Sequence, residues 1–140
     1  LHVGRRNATL EESDALEIKP DENVLSIIRL FFADEDPVIY SVNVIPESQM
    51  CEDLRPDQVE EPLPIFFKKY CQQQEFTYGI SNITATLAVL EIAGKLKVNP
   101  RDPILQFVEV FYNENDHPLV YAKNYFNDKK LQLRVARSFE

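Results

Sequence analysis

The feature that most constrains the fold of this 140-residue chain is an internal repeat. Residues 16–20 (Leu-Glu-Ile-Lys-Pro) recur as residues 96–100 (Leu-Lys-Val-Asn-Pro), and residues 37–40 (Pro-Val-Ile-Tyr) recur as residues 118–121 (Pro-Leu-Val-Tyr). A solenoid needs three or more copies, and a chain of this length makes one ordinary domain. The repeat therefore predicts a single domain with pseudo-twofold symmetry.

Each copy predicts a short helix, a proline turn and a two-stranded hairpin. Thr9 and Glu12 have the spacing of a capping box, which predicts that the first helix begins there. The hairpin strands are apolar runs between polar turns. They are predicted over residues 24–32, 38–45, 104–112 and 119–126.

The segment between the copies and the end of the chain have different patterns. Residues 47–60 are polar and irregular, which indicates short helical turns, and prolines then open a predicted helix over residues 62–73. Alternating apolar and polar residues predict a strand over 81–89 and a terminal strand over 131–137. The expected fold is α+β, a mostly antiparallel sheet of six or seven strands with helices packed to one side.

Composition excludes several classes of function. The 15 Lys and Arg against 23 Asp and Glu give a net charge of −8, which disfavours binding to nucleic-acid phosphates. Three glycines cannot build a glycine-rich phosphate loop. Cys51 and Cys71 are far from each other and from His2 and His117 in sequence, so we expect reduced thiols, no zinc and no cofactor. No segment has the pattern of a membrane span or a signal peptide, which favours a cytoplasmic protein.

One pair of charged residues suggests a binding site. Arg29 and Glu109 occupy equivalent places in the two copies, each on a strand face that is otherwise apolar and includes Phe31 or Phe111. A charge on such a face needs a partner. The two residues could form an ion pair with each other, or the strand face that carries them could be exposed to solvent. Alternatively, they could line a pocket between the two hairpins.

Other polar and aromatic residues extend this candidate pocket. Asn43 and Asn124 are also equivalent, and asparagine is disfavoured inside strands, so we expect polar partners for both. Asn82 and Thr84 could line the pocket or lie on a plain exposed strand face, and Tyr121 could equally be a core residue. The complete set of predicted ligand-binding residues is Arg29, Phe31, Ser41, Asn43, Asn82, Thr84, Glu109, Phe111, Tyr121 and Tyr125.

The order of these motifs resembles a known family. Residues 24–46 resemble the first hairpin of the UTRA domain, residues 104–126 resemble its second hairpin, and Tyr78-Gly79-Ile80 resembles the motif after its central helix. The resemblance implies the chorismate-lyase fold. It also implies the effector-sensing, dimerising half of a HutC-type regulator of the GntR family. In that family a winged helix-turn-helix domain, absent from residues 1–140, binds the operator, which leaves this chain a small-molecule effector and a second copy as partners.

Three positions depart from the family pattern. Phe31 and Ser41 stand where the family usually has Arg and Glu, and Pro62 stands near a usual hydroxyl residue. Relatives that sense phosphorylated sugars hold the anion at these positions, so the departures disfavour a phosphosugar here. The resemblance also leaves two alternatives, an enzyme similar to chorismate lyase and a dimerisation module without a ligand.

Overall fold

The computed structural model describes residues 2–50, 61–71 and 75–139. Within them six antiparallel strands form one sheet in the order β1-β2-β3-β6-β5-β4. The strands are β1 (His2–Asn7), β2 (Asn23–Ala33), β3 (Asp36–Pro46), β4 (Tyr78–Leu87), β5 (Pro103–Tyr112) and β6 (Pro118–Phe126), and the helices are α1 (Leu10–Leu16), α2 (Leu63–Tyr70) and α3 (Leu90–Leu96). The expected α+β class with a six-stranded antiparallel sheet is confirmed.

The two copies of the repeat pack crosswise. Helix α1 of the first copy lies against β6 of the second, and α3 of the second copy lies against β3 of the first. The Tyr121 hydroxyl donates a hydrogen bond to Glu11 on α1, and the equivalent Tyr40 hydroxyl donates to Glu91 on α3 at 3.4 Å. Each copy therefore completes its core with the helix of the other, which is why the repeat forms one domain.

The predicted capping box at the start of α1 is confirmed. The Glu12 amide donates to Thr9 Oγ1 at 3.2 Å, and the Thr9 amide donates to Glu12 Oε1 at 2.9 Å. The Arg6 guanidinium donates to the same carboxylate at 2.6 and 2.7 Å. Burial alone would raise the pKa of Glu12, but the hydrogen bonds from Arg6 and Thr9 outweigh burial and hold this pKa below its ordinary value.

The helices are divided between the two faces of the sheet. Helices α1 and α3 cover one face, the α1/α3 face, where Leu16 and Leu96 are fully buried. Helix α2 lies on the other face, the α2 face, where Phe66 and Phe67 pack with apolar residues of β2, β3 and β6. Helices α1 and α3 thus lie on one side as expected, whereas α2 lies on the other side because Phe66 and Phe67 pack with the apolar residues there.

The termini differ from the sequence-based expectation. Residues 131–137, predicted as a strand, have no regular secondary structure, and β1, which was not predicted, pairs with β2. The β1 sequence His-Val-Gly-Arg-Arg-Asn lacks the alternation that marks a strand, so its pairing depends on the neighbouring strand. The predicted turns within residues 51–60, and Cys51, lie outside the described residues. Among the described residues, none of the helices has the length and apolar composition of a membrane span.

Candidate functional site

A cavity of about 550 Å³ lies on the α2 face, between the start of α2 and strands β2, β3, β5 and β6. Its volume is within the range of small-molecule sites. Six of the predicted ligand-binding residues line it, namely Arg29, Phe31, Ser41, Asn43, Glu109 and Phe111. The two hairpins of the repeat therefore meet at one cavity, as the sequence pattern predicts.

Strand register explains why these residues meet. Arg29 on β2 lies opposite Ser41 on β3, and Ser41 lies opposite Asn124 on β6. One row further along the sheet, Asn43 and Glu109 both lie opposite Ala122. Because alternate residues of a strand point to the same face, these polar side chains form a continuous strip across the sheet.

The polar strip is internally hydrogen-bonded. Asn43 Nδ2 donates to Ser41 Oγ at 3.1 Å, and Asn124 Nδ2 donates to Glu109 Oε2 at 3.0 Å. Ser41 and Asn43 are only 4% and 5% exposed. The expectation that both equivalent asparagines have polar partners is confirmed, and these hydrogen bonds fix the geometry of the strip.

The carboxylate of Glu109 is held by neighbours on its own half of the sheet. Ser81 Oγ donates to Glu109 Oε1 at 2.8 Å, and Asn124 donates to the other oxygen. Arg29 lies three strands away in the order β2-β3-β6-β5. The alternative of an Arg29–Glu109 ion pair is therefore not the one that forms, because the carboxylate of Glu109 accepts hydrogen bonds from Ser81 and Asn124 instead.

Arg29 supplies a cation at the opposite side of the cavity. Its side chain is half-buried, and burial lowers the pKa of its guanidinium from the ordinary value. An arginine remains protonated under such conditions. A positive charge that is partly shielded from water attracts an anionic group more strongly than one in bulk solvent does.

Four predicted site residues lie on the opposite face and correct the sequence-based set. Tyr121 and Tyr125 point to the α1/α3 face, where Tyr121 binds Glu11 and Tyr125 contacts Tyr40. Asn82 and Thr84 also share that face, since they alternate with Ser81, which binds Glu109.

The same alternation identifies residues that the sequence-based set missed. Ser81 and Asn124 hold Glu109, while Phe126 and Leu63 contribute apolar lining. Only Asn124 had a signal in the sequence, its equivalence to Asn43. Gly79 faces Phe111, and a Cβ there would lie 2.7 Å from the Phe111 ring, so a larger residue would displace this ring.

The arrangement is suited to binding. Ser41 bonds to Asn43 rather than to a base, and Glu109 bonds to two hydrogen-bond donors. Among the described residues, no group of three His, Cys, Asp or Glu is arranged to hold a metal ion. The described lining of the cavity therefore offers one cation, one carboxylate, polar amides and aromatic surface to a small molecule.

Comparison with known proteins identifies the family. The family model of the UTRA domain matches residues 1–132. The chain belongs to the UTRA-domain family. A search of curated proteins finds no match.

Solved structures agree on the fold. A ligand-binding domain assigned to the GntR family of transcriptional regulators, from Bordetella bronchiseptica, is 22% identical with a TM-score of 0.90, over 99% of this chain and 87% of that one. The effector domain of PhnF from Mycobacterium smegmatis is 16% identical with a TM-score of 0.85, over 99% and 85%. PhnF itself, from the same organism, is 15% identical with a TM-score of 0.83, over 100% of this chain but 61% of that one. At these identities the likeness shows that this UTRA domain shares their fold.

Proposed function

We propose that this UTRA domain senses a small metabolite for a GntR-family regulator of the HutC type. The observation that carries the proposal is the cavity on the α2 face, where Arg29 and Glu109 stand among polar amides and aromatic rings. The operator would be bound by a winged helix-turn-helix domain outside residues 1–140, in the cytoplasm. The fact that this chain spans 61% of PhnF leaves room for such a domain in a regulator of that size.

The proposed mechanism is linkage between metabolite binding and domain arrangement. The cavity is lined by Leu63 at the start of α2 and by strands of both hairpins, so a bound molecule contacts both copies of the repeat and the helix. A ligand that binds one arrangement better than another shifts the population towards it. Each tenfold preference changes the balance by about 1.4 kcal/mol.

Removal of Arg29 tests the site. If Arg29 binds the ligand, Arg29→Ala should weaken binding by about 1.5–3 kcal/mol, the scale of a charge-assisted hydrogen bond, with little loss of stability. The measurements are melting curves and calorimetry with a metabolite library, with Lys95→Ala on the exposed surface of α3 as the matched control. A large loss of stability with an unchanged ligand-induced shift would instead make Arg29 a structural ion.

Operator binding provides the functional measurement. With net charge −8 and no basic cluster, this chain alone should not retain operator DNA at physiological salt. The whole regulator should bind the operator, and the metabolite found with the isolated chain should change that affinity. Specific retention of DNA by the isolated chain would contradict the proposed division of roles.

The homodimer is proposed from the two edges of the sheet. Edge strand β1 is six residues long and carries Arg5 and Arg6, features that discourage further strand pairing. Edge strand β4 has ten residues and no charge, and Ile80, Ile83 and Leu87 on it are each more than half exposed. Such an edge is usually covered, and we propose that a second copy covers it.

The C-terminal segment supports this form of dimer. Residues 131–137 alternate apolar and polar side chains, yet they form no strand in the single chain, and Val135 is 84% exposed. They could add to β4 of a second copy as a seventh strand. Ile80→Lys on β4 should therefore shift the species seen by light scattering towards monomer, while His2→Lys at an exposed position of β1 should not. A strict monomer at micromolar concentration for the unaltered chain would overturn the proposal.

The enzyme alternative has less support. The substrate of a chorismate lyase is a dianion, and the described lining of the cavity has one cation, Arg29, together with the carboxylate of Glu109. Turnover of chorismate by the chain would reverse this conclusion.

A further inference from the structure

We propose that Glu109 makes the cavity selective for an effector with an amino group, which is protonated to an ammonium ion. This inference rests on the proposed function, because it takes the cavity on the α2 face as the effector site. Glu109 is the only carboxylate among the described residues that line the cavity. The ammonium group of the ligand would lie against this carboxylate and donate hydrogen bonds to it.

The residues that hold Glu109 leave its charge in place. Ser81 Oγ donates to Oε1 at 2.8 Å, and Asn124 Nδ2 donates to Oε2 at 3.0 Å. Both donors are uncharged, so they orient the carboxylate without supplying a positive charge. A carboxylate can accept about four hydrogen bonds, which leaves about half of this capacity for a ligand.

The surroundings of Glu109 strengthen its attraction for a cation. The residue is partly buried, and opposite charges attract each other more strongly where water is partly excluded. Phe111 is the next residue of β5 on the same face, and its ring also lines the cavity. Because the face of an aromatic ring attracts cations as well, the carboxylate and the ring together suit an ammonium group.

The rest of the lining sets the body of the ligand. Phe31, Leu63 and Phe126 give the cavity an apolar wall, which suits a hydrocarbon chain or an aromatic ring. Arg29 lies three strands from Glu109 and already has an interaction of its own, so the ligand needs no anionic group to balance it. The ligand class is therefore an amine with an apolar body.

The same carboxylate disfavours other groups beside it. A carboxylate or phosphate of the ligand at this position would be repelled, because like charges repel in a partly dehydrated site. A hydroxyl group can donate one hydrogen bond to Glu109, whereas an ammonium group has three N–H donors and adds the attraction of opposite charges. Glu109 therefore provides selectivity as well as affinity.

Two probes of nearly equal size test this inference, benzylamine with its ammonium group and benzyl alcohol with a neutral hydroxyl. Calorimetry of the complete chain should show that benzylamine binds at least about tenfold more tightly than benzyl alcohol, the gain expected when a charged donor replaces a neutral one. Equal or tighter binding of benzyl alcohol, or no binding of benzylamine at millimolar concentration, would overturn the inference.

A variant locates the selectivity at Glu109. Glu109→Gln keeps the size of the side chain, and its amide oxygen can still accept from Ser81 while the Asn124 amide turns to accept from the new amide, so the fold should be kept. This variant should bind benzylamine no more tightly than benzyl alcohol. Glu114→Gln, the same change at an exposed turn residue, should keep the full preference. An unchanged preference in Glu109→Gln would contradict the inference.

An anionic probe separates failure of this inference from failure of the proposed function. If benzoate binds in a manner that Arg29→Ala abolishes, and benzylamine does not bind, the amine inference is wrong and the cavity is still an effector site. If no compound of a broad metabolite library gives a melting shift that depends on Arg29 or Glu109, the proposed function itself is wrong.

Discussion

The two copies of the repeat begin their helices in different ways. In the first copy, the Thr9 side chain accepts a hydrogen bond from the Glu12 amide, and the Glu12 side chain accepts one from the Thr9 amide. In the second copy, Val89 occupies the equivalent cap position and makes no side-chain bond to α3. The backbone is nearly the same, with φ −74° and ψ 167° at Thr9 and φ −74° and ψ 161° at Val89.

The difference shows which forces define these helices. Both helices have seven residues, and isolated helices so short are unstable in water. Helix α3 forms without a side-chain cap because Ile92, Ala93 and Leu96 pack against β3 and its neighbours. Packing therefore decides that the helix exists, and capping adds stability to only one of the two copies.

The largest expected effect tests whether the two copies share one core. Leu16 on α1 and Leu96 on α3 are equivalent, and both are 0% exposed. Leu16→Ala and Leu96→Ala should each lower the free energy of unfolding by about 2–5 kcal/mol, from lost burial and the cavity left behind. Because the copies interlock, denaturant curves of both variants should keep a single transition. A second transition in either variant would show that the copies unfold separately.

The next largest effect on stability concerns Glu12, a carboxylate whose equivalent in the second copy is the apolar Ile92. Because the pKa of Glu12 is lowered in the folded chain, its contribution to stability is complete above the ordinary carboxyl pKa. That contribution is lost as the pH falls through the lowered value. Glu12→Gln should cost about 1–2 kcal/mol at neutral pH, since Arg6 is partly exposed.

The pH dependence of the difference is the measurement. The free energies of unfolding of the unaltered chain and of Glu12→Gln should converge as the solution is acidified below the ordinary carboxyl pKa. Glu114→Gln, which changes an exposed carboxylate, should follow the unaltered chain throughout. A constant gap between Glu12→Gln and the unaltered chain across this range would contradict the assignment.

The smallest expected effect comes from changing the residues at the N-cap positions of α1 and α3. Thr9→Ala should destabilise the domain by about 1 kcal/mol, and Val89→Thr, nearly the same in shape, should stabilise it by up to about 1 kcal/mol. Thermal melts of the two variants and of the double variant check both signs. If Val89→Thr destabilises the domain, packing of the valine methyl groups outweighs the new hydrogen bond.

Most of the fold could be predicted because the sequence patterns of its strands and helices are local and occur in both copies of the repeat. The hairpin strands have clear apolar runs between polar turns, and the second copy repeats them. Strand β1 could not be predicted, since its arginines and glycine carry no alternation and its pairing is decided by β2. The terminal segment 131–137 does alternate, but the single chain gives it no strand to pair with.

Site residues could be predicted where two residues at equivalent positions of the copies must lie on the same face of the sheet. Arg29 and Glu109 share a face because their strands have the same register in each copy. Asn82 and Thr84 were assigned to the wrong face because β4 is an edge strand exposed on both sides, so its side chains do not reveal which row points inwards. Register with β5, a tertiary property, decides this and selects Ser81.

The crosswise packing of α1 on β6 and α3 on β3 has a consequence for the integrity of the chain. Neither half has a complete hydrophobic interior of its own, so the two halves expressed as separate peptides should each be unfolded. When the two peptides are mixed, the sheet should form again, with α1 of one peptide on β6 of the other and α3 on β3. A single ancestral unit of this design would have had to associate with a second copy before it could fold, and the present domain resembles such an assembly joined into one polypeptide.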